Sequence, residues 1–237
     1  MTRRRWIADE VSGNRAALTG AHAEHLGRVL RARVGQEFDI IANGVLHRGR
    51  VTGTAHDRVE FELGEEIPAE AASVQLTLSL SIFKFDRMEW AIEKCTELGV
   101  ARIIPLIARR TDAHLASASQ KRVERWRRIA LQASEQSRRA AAPDISEPVK
   151  LRDLLATSAK TKLLLSEAED DCYLHDIRAD AAGEVSLAIG PEGGWTEDEL
   201  QQFRAHHWIP VSLGPTILRA ETAAIAATAI AMSVLIG

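Results

Sequence analysis

The last two-thirds of the chain alternates between short apolar runs and longer amphipathic segments. From Val74 to Ile82, apolar and polar residues alternate, which is the period-two pattern of a β-strand. Residues 87–98 carry apolar side chains three and four positions apart, as a helix does, and Gly99 is a typical stop signal. Strands that alternate with helices predict an α/β domain with a mainly parallel sheet. The other segments of this part that carry such patterns are the strand runs 103–107, 163–165, 185–189 and 209–213 and the helical run 121–138.

The first 70 residues show a different pattern, made of short strands. Apolar runs lie at 37–41, 46–51 and 58–63, and Asn43-Gly44 between the first two is a hairpin signal. A short helix is predicted over 22–30. The acidic, proline-containing segment 65–70 has no periodicity, so we expect a small β-rich domain over 1–70 and the α/β domain over 71–237.

Two Gly-Pro turns near the end of the chain each close a short apolar run. Gly190-Pro191-Glu192-Gly193-Gly194 follows one run, and Gly214-Pro215 follows the next. A buried strand that stops at such a turn exposes main-chain groups at the carboxyl edge of the sheet, where ligands bind in α/β proteins. Two of them predict a small-molecule pocket built largely from main chain. The absence of Walker and G-x-G-x-x-G patterns from the sequence disfavours triphosphate and dinucleotide ligands.

The charges along the chain add a macromolecular partner to this picture. The net charge is −3, yet residues 1–60 carry +3 and residues 101–140 carry +7. All basic residues of these two blocks except Lys121 are arginine, whose planar fork suits phosphate. The pattern favours a polyanion such as RNA.

Composition also narrows the setting. The N-terminus lacks the apolar stretch of a signal peptide, and the longest apolar run, 223–236, is too short to span a bilayer. Cys95 and Cys172 are the only cysteines, and the eight histidines show no ligand spacing. We therefore expect a reduced, cytoplasmic protein with no membrane attachment and no metal.

Four segments together resemble one enzyme family. They are RMEWAIEKCTELGV at 87–100, EQS at 135–137, GPEGG at 190–194 and LRAETA at 218–223. The chain is similar to the RsmE family of SPOUT-class enzymes, which methylate N3 of a uridine in 16S ribosomal RNA of the small ribosomal subunit with S-adenosylmethionine. Residues 25–31 with Gly35 resemble the family's PUA-like RNA-binding domain. The resemblance implies a small N-terminal β-barrel, a C-terminal SPOUT methyltransferase domain with a trefoil knot, and a homodimer.

The resemblance also implies site residues. Arg219 is expected to stabilise the uridine anion, and Glu221 to orient Arg219 or to accept the N3 proton. The cofactor is expected among three loops, at Leu165, Ser166, Glu167, Ile189, Gly190, Pro191, Glu192, Gly193, Gly194, Leu213, Gly214, Ile217, Leu218, Arg219, Thr222 and Ala223. RNA contacts are expected at Arg3, Arg4, Arg5, Arg28, Arg31, Arg33, Arg87, Arg110 and Arg138.

Two positions depart from the family pattern, and two other functions stay open. Arg109-Arg110-Thr111 stands where the family commonly has an acidic residue first, and Thr216 stands where arginine is common. Both departures concern RNA contact. The alternatives are a SPOUT enzyme that methylates ribose 2′-OH and a non-catalytic RNA-binding assembly factor.

Overall fold

The computed structural model describes residues 5–67, 74–137, 139, 141–177 and 183–236. By its internal contacts the chain divides into two compact units. One contains residues 1–71 with the short segment 138–141, and the other contains residues 72–137 and 142–237. None of the helices within the described residues is both long and apolar enough to cross a lipid bilayer.

The N-terminal unit is a sheet with the strand order β1-β4-β5-β6-β3-β2. The β1–β4 pair is parallel and the other pairs are antiparallel. Asn43 and Gly44 form the predicted hairpin turn between β4 and β5, with φ of +50° and +81°. The elements are β1 Arg5–Ile7, β2 Glu10–Ser12, β3 Arg15–Thr19, α1 Gly20–Glu24, a π-helical turn His25–Val29, β4 Glu37–Ala42, β5 Val45–Thr54 and β6 Arg58–Glu66.

Two details of this unit differ from the sequence pattern. The helix predicted over 22–30 begins at Gly20 and ends in the π-helical turn. Strands β1 and β2 have three residues each, too few for a period to be visible. Leu18, Leu26, Ile40 and Phe61 form the centre of the core and are fully buried.

The second unit is a mixed α/β fold with a parallel sheet, as the alternating pattern predicts. Its strand order is β10-β8-β7-β12-β11-β13, and β9 pairs with β8. The strands are β7 Val74–Ser81, β8 Arg102–Ile107, β9 Asp144–Ile145, β10 Val149–Lys150, β11 Thr161–Leu165, β12 Gly183–Ile189 and β13 Ile209–Val211. The helices are α2 Phe85–Glu97, α3 Ala113–Ser119, α4 Val123–Ser137, α5 Leu151–Leu155, α6 Glu197–Ala205 and α7 Ala220–Ile236, with a 3₁₀ turn over Gln120–Arg122.

Helices cover both faces of this sheet. One apolar cluster joins the sheet to α2, α4 and α7, and a second joins it to α5 and α6. The strand predicted from the alternating pattern is present as β7, and Ser79 and Ser81 on its polar side are also fully buried. The reason is its central place between β8 and β12, where parallel strands are covered on both sides.

Strands β12, β11 and β13 are neighbours, so the segments that follow them meet at the carboxyl edge of the sheet. We call these segments the first loop (residues 166–177, after β11), the second loop (190–196, after β12) and the third loop (212–219, after β13).

Candidate active site

A cleft of about 470 Å³ lies among the three loops. Of the sixteen residues expected to bind the cofactor, all but Gly193 and Thr222 line it. Gly193 lies at the turn of the second loop beside Arg110, and Thr222 is exposed on α7. Residues from three distant parts of the sequence are thus brought together at one sheet edge. The lining residues that were not expected as cofactor contacts are Arg87, Ala168, Asp170, Trp195, Leu200, Ser212, Pro215, Thr216 and Ala220.

The second loop is held in place by side chains from outside it and by its own tryptophan. The Trp195 indole Nε1 donates to the Leu165 carbonyl oxygen at 2.9 Å and packs edge-to-face on Phe203. Arg110 Nη1 donates to the Gly193 carbonyl oxygen at 2.6 Å. A Cβ at Gly190 would lie 3.1 Å from Trp195 Nε1, so any larger residue there would require the indole to shift. Trp195 directly follows the GPEGG segment, so the sequence alone could have indicated that it anchors the loop.

The end of the second loop begins α6 through the predicted capping box. The Thr196 hydroxyl accepts from the Glu199 N–H, and Glu199 Oε2 accepts from the Thr196 N–H. Glu199 is 4% exposed, and its Oε1 also accepts from the Arg109 N–H at 2.7 Å. One buried carboxylate therefore ties the second loop to the segment that follows β8.

The third loop is hydrogen-bonded at its start, through Ser212 and Gly214, and open farther along. The Gly214 N–H donates to the Ser212 hydroxyl at 3.2 Å, and Gly214 has a φ of +126°. Within the described residues, the main chain from Thr216 to Leu218 makes no hydrogen bond. Ile217 is 80% exposed and Leu218 is 36% exposed, although both line the cleft. This wall offers main-chain donors and acceptors and apolar side chains to a ligand.

Three charged side chains meet beside the cleft. Arg87 Nη1 lies 2.9 Å from Glu192 Oε1, and Arg87 Nε lies 3.7 Å from Glu221 Oε1. Glu221 is 5% exposed and does not line the cleft, whereas Arg219 is exposed and does. Among the described residues Arg219 has no ion pair. The structure therefore pairs Glu221 with Arg87, and the predicted orientation of Arg219 by Glu221 is not the arrangement found.

The arginines expected to contact RNA are distributed as follows. Arg28, Arg31 and Arg33 are exposed on the N-terminal unit, where Arg28 pairs with Glu24 and Arg31 has a φ of +52°. Arg87 and Arg110 contact the second loop. Arg3, Arg4 and Arg138 lie outside the described residues, and only the main chain of Arg5 lies within them. In the described part of the chain, no group of three or more His, Cys, Asp or Glu side chains is arranged to hold a metal ion.

Several known proteins are similar to this chain in sequence and in fold. Residues 70–232 match the family model of an RNA methyltransferase domain. The chain is 30% identical over 229 residues to the ribosomal RNA small subunit methyltransferase E of Aquifex aeolicus, with 96% of this chain and 98% of the relative covered. It is 34% identical over 214 residues to the same-named protein of Synechocystis sp., with 87% and 69% covered.

A solved structure resembles both the sequence and the fold. It is a ribosomal RNA small subunit methyltransferase E from Neisseria gonorrhoeae bound to S-adenosylmethionine. The identity is 34%, the TM-score is 0.73, and the match covers 96% of both chains.

Proposed function

The chain belongs to the ribosomal RNA small subunit methyltransferase E family, and we propose that it transfers the methyl group of S-adenosylmethionine to N3 of a uridine in 16S ribosomal RNA. The observation that carries this proposal is the cleft at the ends of β11, β12 and β13, whose lining includes residues of the GPEGG and LRAETA segments. The proposed substrate of the protein is the RNA of the small ribosomal subunit, which implies that the protein is located in the cytoplasm.

The residues of the cleft fit S-adenosylmethionine. Its volume of about 470 Å³ is within the usual range for small-molecule sites. The main chain of the third loop is available to read the edge of an adenine ring, and Leu213 and Leu218, which line the cleft, would cover its faces. The carboxylates of Glu167 and Asp170 in the first loop can accept hydrogen bonds from the hydroxyl or ammonium groups of the cofactor. When bound, the cofactor supplies an electrophilic methyl group on its sulfonium sulfur.

The protein's part in the transfer is to hold the base and to stabilise charge. Loss of the N3 proton leaves negative charge on O2 and O4 of uracil, and a cation beside them lowers the barrier. Arg219 has this role, because its guanidinium is exposed at the cleft and unpaired among the described residues. Glu221 is too deeply buried to take the proton, so a carboxylate acceptor on the protein comes from Glu167, Asp170 or Glu192.

The trefoil knot forms where the first loop encloses the start of the third. The Ser166 N–H donates to the Val211 carbonyl at 3.0 Å, and the Ser212 N–H donates to the Cys172 carbonyl at 2.8 Å. The Leu174 N–H in turn donates to the Ser212 carbonyl at 2.9 Å. A segment bonded on both sides to one loop supports threading of the chain through that loop. A crystal structure whose backbone path unties when its ends are pulled would contradict the knot.

The N-terminal residues 1–70 form a PUA-like, RNA-binding β-barrel, and residues 71–237 form the SPOUT domain. The Ala8 N–H donates to Ile41 of β4, and the next N–H, that of Asp9, donates to Ala17 of β3. This crossing from one edge of the sheet to the other supports a closed barrel. The double variant Arg28→Ala/Arg31→Ala should bind RNA less tightly, with a shallower salt dependence and unchanged cofactor affinity. An equal loss of cofactor affinity in a calorimetric titration would contradict this role.

The protein is a homodimer that uses α7. This helix is apolar around most of its circumference, yet Ile225, Ala226, Ala229, Ile230 and Met232 are only half-buried in the single chain. A helix of this kind is normally covered on all sides, and a second copy of the chain would cover it. Light scattering on the purified protein should give twice the chain mass, and a single-chain mass would contradict the dimer.

The experiment that tests the function is methylation of small subunits from a strain that lacks this protein. Mass mapping should place the new methyl group on the base of one uridine. A methyl group on ribose would indicate the 2′-O-methyltransferase instead. Titration with S-adenosylhomocysteine separates the remaining alternative, because an assembly factor that has lost catalysis would bind RNA without binding this ligand.

A further inference from the structure

We infer that Arg87 is a positioning residue, which clamps the second and third loops together through Glu192 and Glu221 and thereby sets the affinity for the cofactor. The inference rests on the proposed function of the cleft. It removes Arg87 from the expected RNA contacts, because the guanidinium is already engaged by two carboxylates.

Arg87 projects from a rigid element. It lies in the first turn of α2, and the next residue, Met88, is fully buried together with Ala91 and Ile92 on the face that packs on the sheet. The base of the clamp is therefore fixed by the core, whereas its two partners belong to loops. Glu192 is in the second loop, and Glu221 is in the first turn of α7, directly after the third loop.

Glu221 depends on Arg87 for its counter-charge. Its side chain is almost completely buried, and its Oε2 has no hydrogen-bond partner among the described residues. No other cation of the described residues lies within ion-pair distance of it. A buried carboxylate without a counter-charge is strongly unfavourable, so the pair with Arg87 holds the start of α7, and with it the end of the third loop, in place.

Glu192 uses the other side of the same guanidinium. Its contact with Arg87 Nη1 at 2.9 Å has hydrogen-bond length, and both side chains are partly exposed. Arginine holds two carboxylates in two fixed directions because its donors form a rigid planar fork, whereas the ammonium of lysine is a point charge with rotatable donors on a flexible chain. Pro191 and Glu192 on one wall of the cleft are thus kept at a fixed distance from Arg219 and Ala220 on the other.

The test starts from Glu192→Gln, which keeps the shape of the side chain and leaves Glu221 paired. We expect the dissociation constant for S-adenosylmethionine, measured by calorimetry, to rise about fivefold. The matched control is Glu197→Gln, which removes a carboxylate from another exposed pair, with Arg204 at 3.5 Å, away from the cleft. The control should bind the cofactor as the wild type does.

A double-variant cycle separates the clamp from a direct contact between Glu192 and the cofactor. If Glu192 acts through Arg87, Arg87→Met/Glu192→Gln should bind the cofactor no more weakly than Arg87→Met alone. Additive losses would overturn the inference. Because Arg87→Met strands the buried Glu221, the same cycle is repeated on a Glu221→Gln background if that variant does not fold.

Arg87→Lys separates positioning from simple stabilisation. The lysine keeps a positive charge beside Glu221, so the free energy of unfolding without cofactor should stay close to that of the wild type. The KM for S-adenosylmethionine should still rise about fivefold, with kcat nearly unchanged. Full recovery of both quantities would show that any cation suffices and would overturn the clamp.

Hydrogen exchange on the cofactor-free protein tests the clamp independently of the proposed function. In Glu192→Gln and Arg87→Lys, the amides of residues 223–226, which make the first hydrogen bonds of α7, should lose protection, while those of β12 keep it. Unchanged protection would overturn the inference. If the wild type does not bind S-adenosylmethionine, the proposed cofactor is wrong, yet the exchange result still decides whether Arg87 joins the two loops.

Discussion

The second and third loops form opposite walls of one cleft, but they are built differently. The second loop is fixed by Arg110, by the Trp195 indole and by the capping box of α6. The third loop has a main chain without hydrogen bonds from Thr216 to Leu218, among the described residues, and an isoleucine that is 80% exposed. Both loops contain a Gly-Pro pair, at 190–191 and 214–215, and the similarity ends there.

The difference indicates a division of labour within the site. Buried polar groups need hydrogen-bond partners, so a wall whose polar groups are already paired within the protein is preformed before a ligand binds. A wall with unpaired donors and acceptors becomes ordered only when its ligand binds, and the cost of that ordering lowers the binding affinity. We expect the second loop to form a rigid wall of the cleft. We expect the third loop to provide ligand selectivity and Arg219, the cation that stabilises the uridine anion.

The largest effect should follow from breaking the rigid wall. Trp195→Ala removes a side chain that is 9% exposed, packs on Phe203 at a centroid distance of 4.9 Å and donates to Leu165. The free energy of unfolding in urea should fall by about 3–5 kcal/mol. Trp90→Ala is the control, because Trp90 is 48% exposed. Equal losses in the two variants would mean that Trp195 is not an anchor.

The next effect should come from Arg219 on the open wall. Arg219→Ala should lower the rate of methyl transfer to small subunits about 10²-fold or more, the usual result of removing a group that stabilises developing charge. Because Arg219 is exposed and unpaired among the described residues, the free energy of unfolding should not change. Transfer at nearly the wild-type rate would exclude Arg219 as that group.

A smaller effect is expected from straining the main chain of the third loop. Gly214 has a φ of +126°, which an alanine adopts only at a cost of about 1–2 kcal/mol. Gly214→Ala should therefore bind S-adenosylmethionine about tenfold more weakly in calorimetry. Gly27→Ala is the control, since its Cβ would meet only Val59, at 3.9 Å. If both variants bind alike, the conformation of Gly214 is not needed for the site.

The smallest effect concerns the reactivity of the first loop, which contacts the start of the third. Partial burial, together with Glu169 and Asp176, raises the pKa of the Cys172 thiol, so labelling should accelerate only as the pH rises above the usual range for cysteine. Burial raises the pKa of Cys95 to about 12, and this thiol should not react in the native protein. Mass spectrometry after labelling should find one modified cysteine.

The same labelling reports on the contact between the loops. The Cys172 carbonyl accepts from the Ser212 N–H, so loosening the third loop by Gly214→Ala should speed the labelling of Cys172 by a few fold. An unchanged rate would indicate that strain at Gly214 stays local.

Local chemistry explains which elements could be predicted. The hairpin at Asn43 and Gly44 and the capping box at Thr196 and Glu199 depend on residues within a few positions of each other, and both are present in the structure. Strands β9 and β10 have two residues each and exist only because β8 supplies their partners. No sequence pattern of that length carries a period.

Within the site, the sequence determined the residue types, the two glycine turns and the resemblance to the family, since these are written in contiguous segments. Tertiary structure alone decided the partners. Arg87 and Glu221 are far apart in the chain and Arg110 is far from Gly193, and the order β7-β12-β11-β13 brings them together. Burial decided the rest: it made Glu221 an anchor for the loop and left Arg219 free at the cleft, because a buried carboxylate requires a counter-charge and an exposed guanidinium does not.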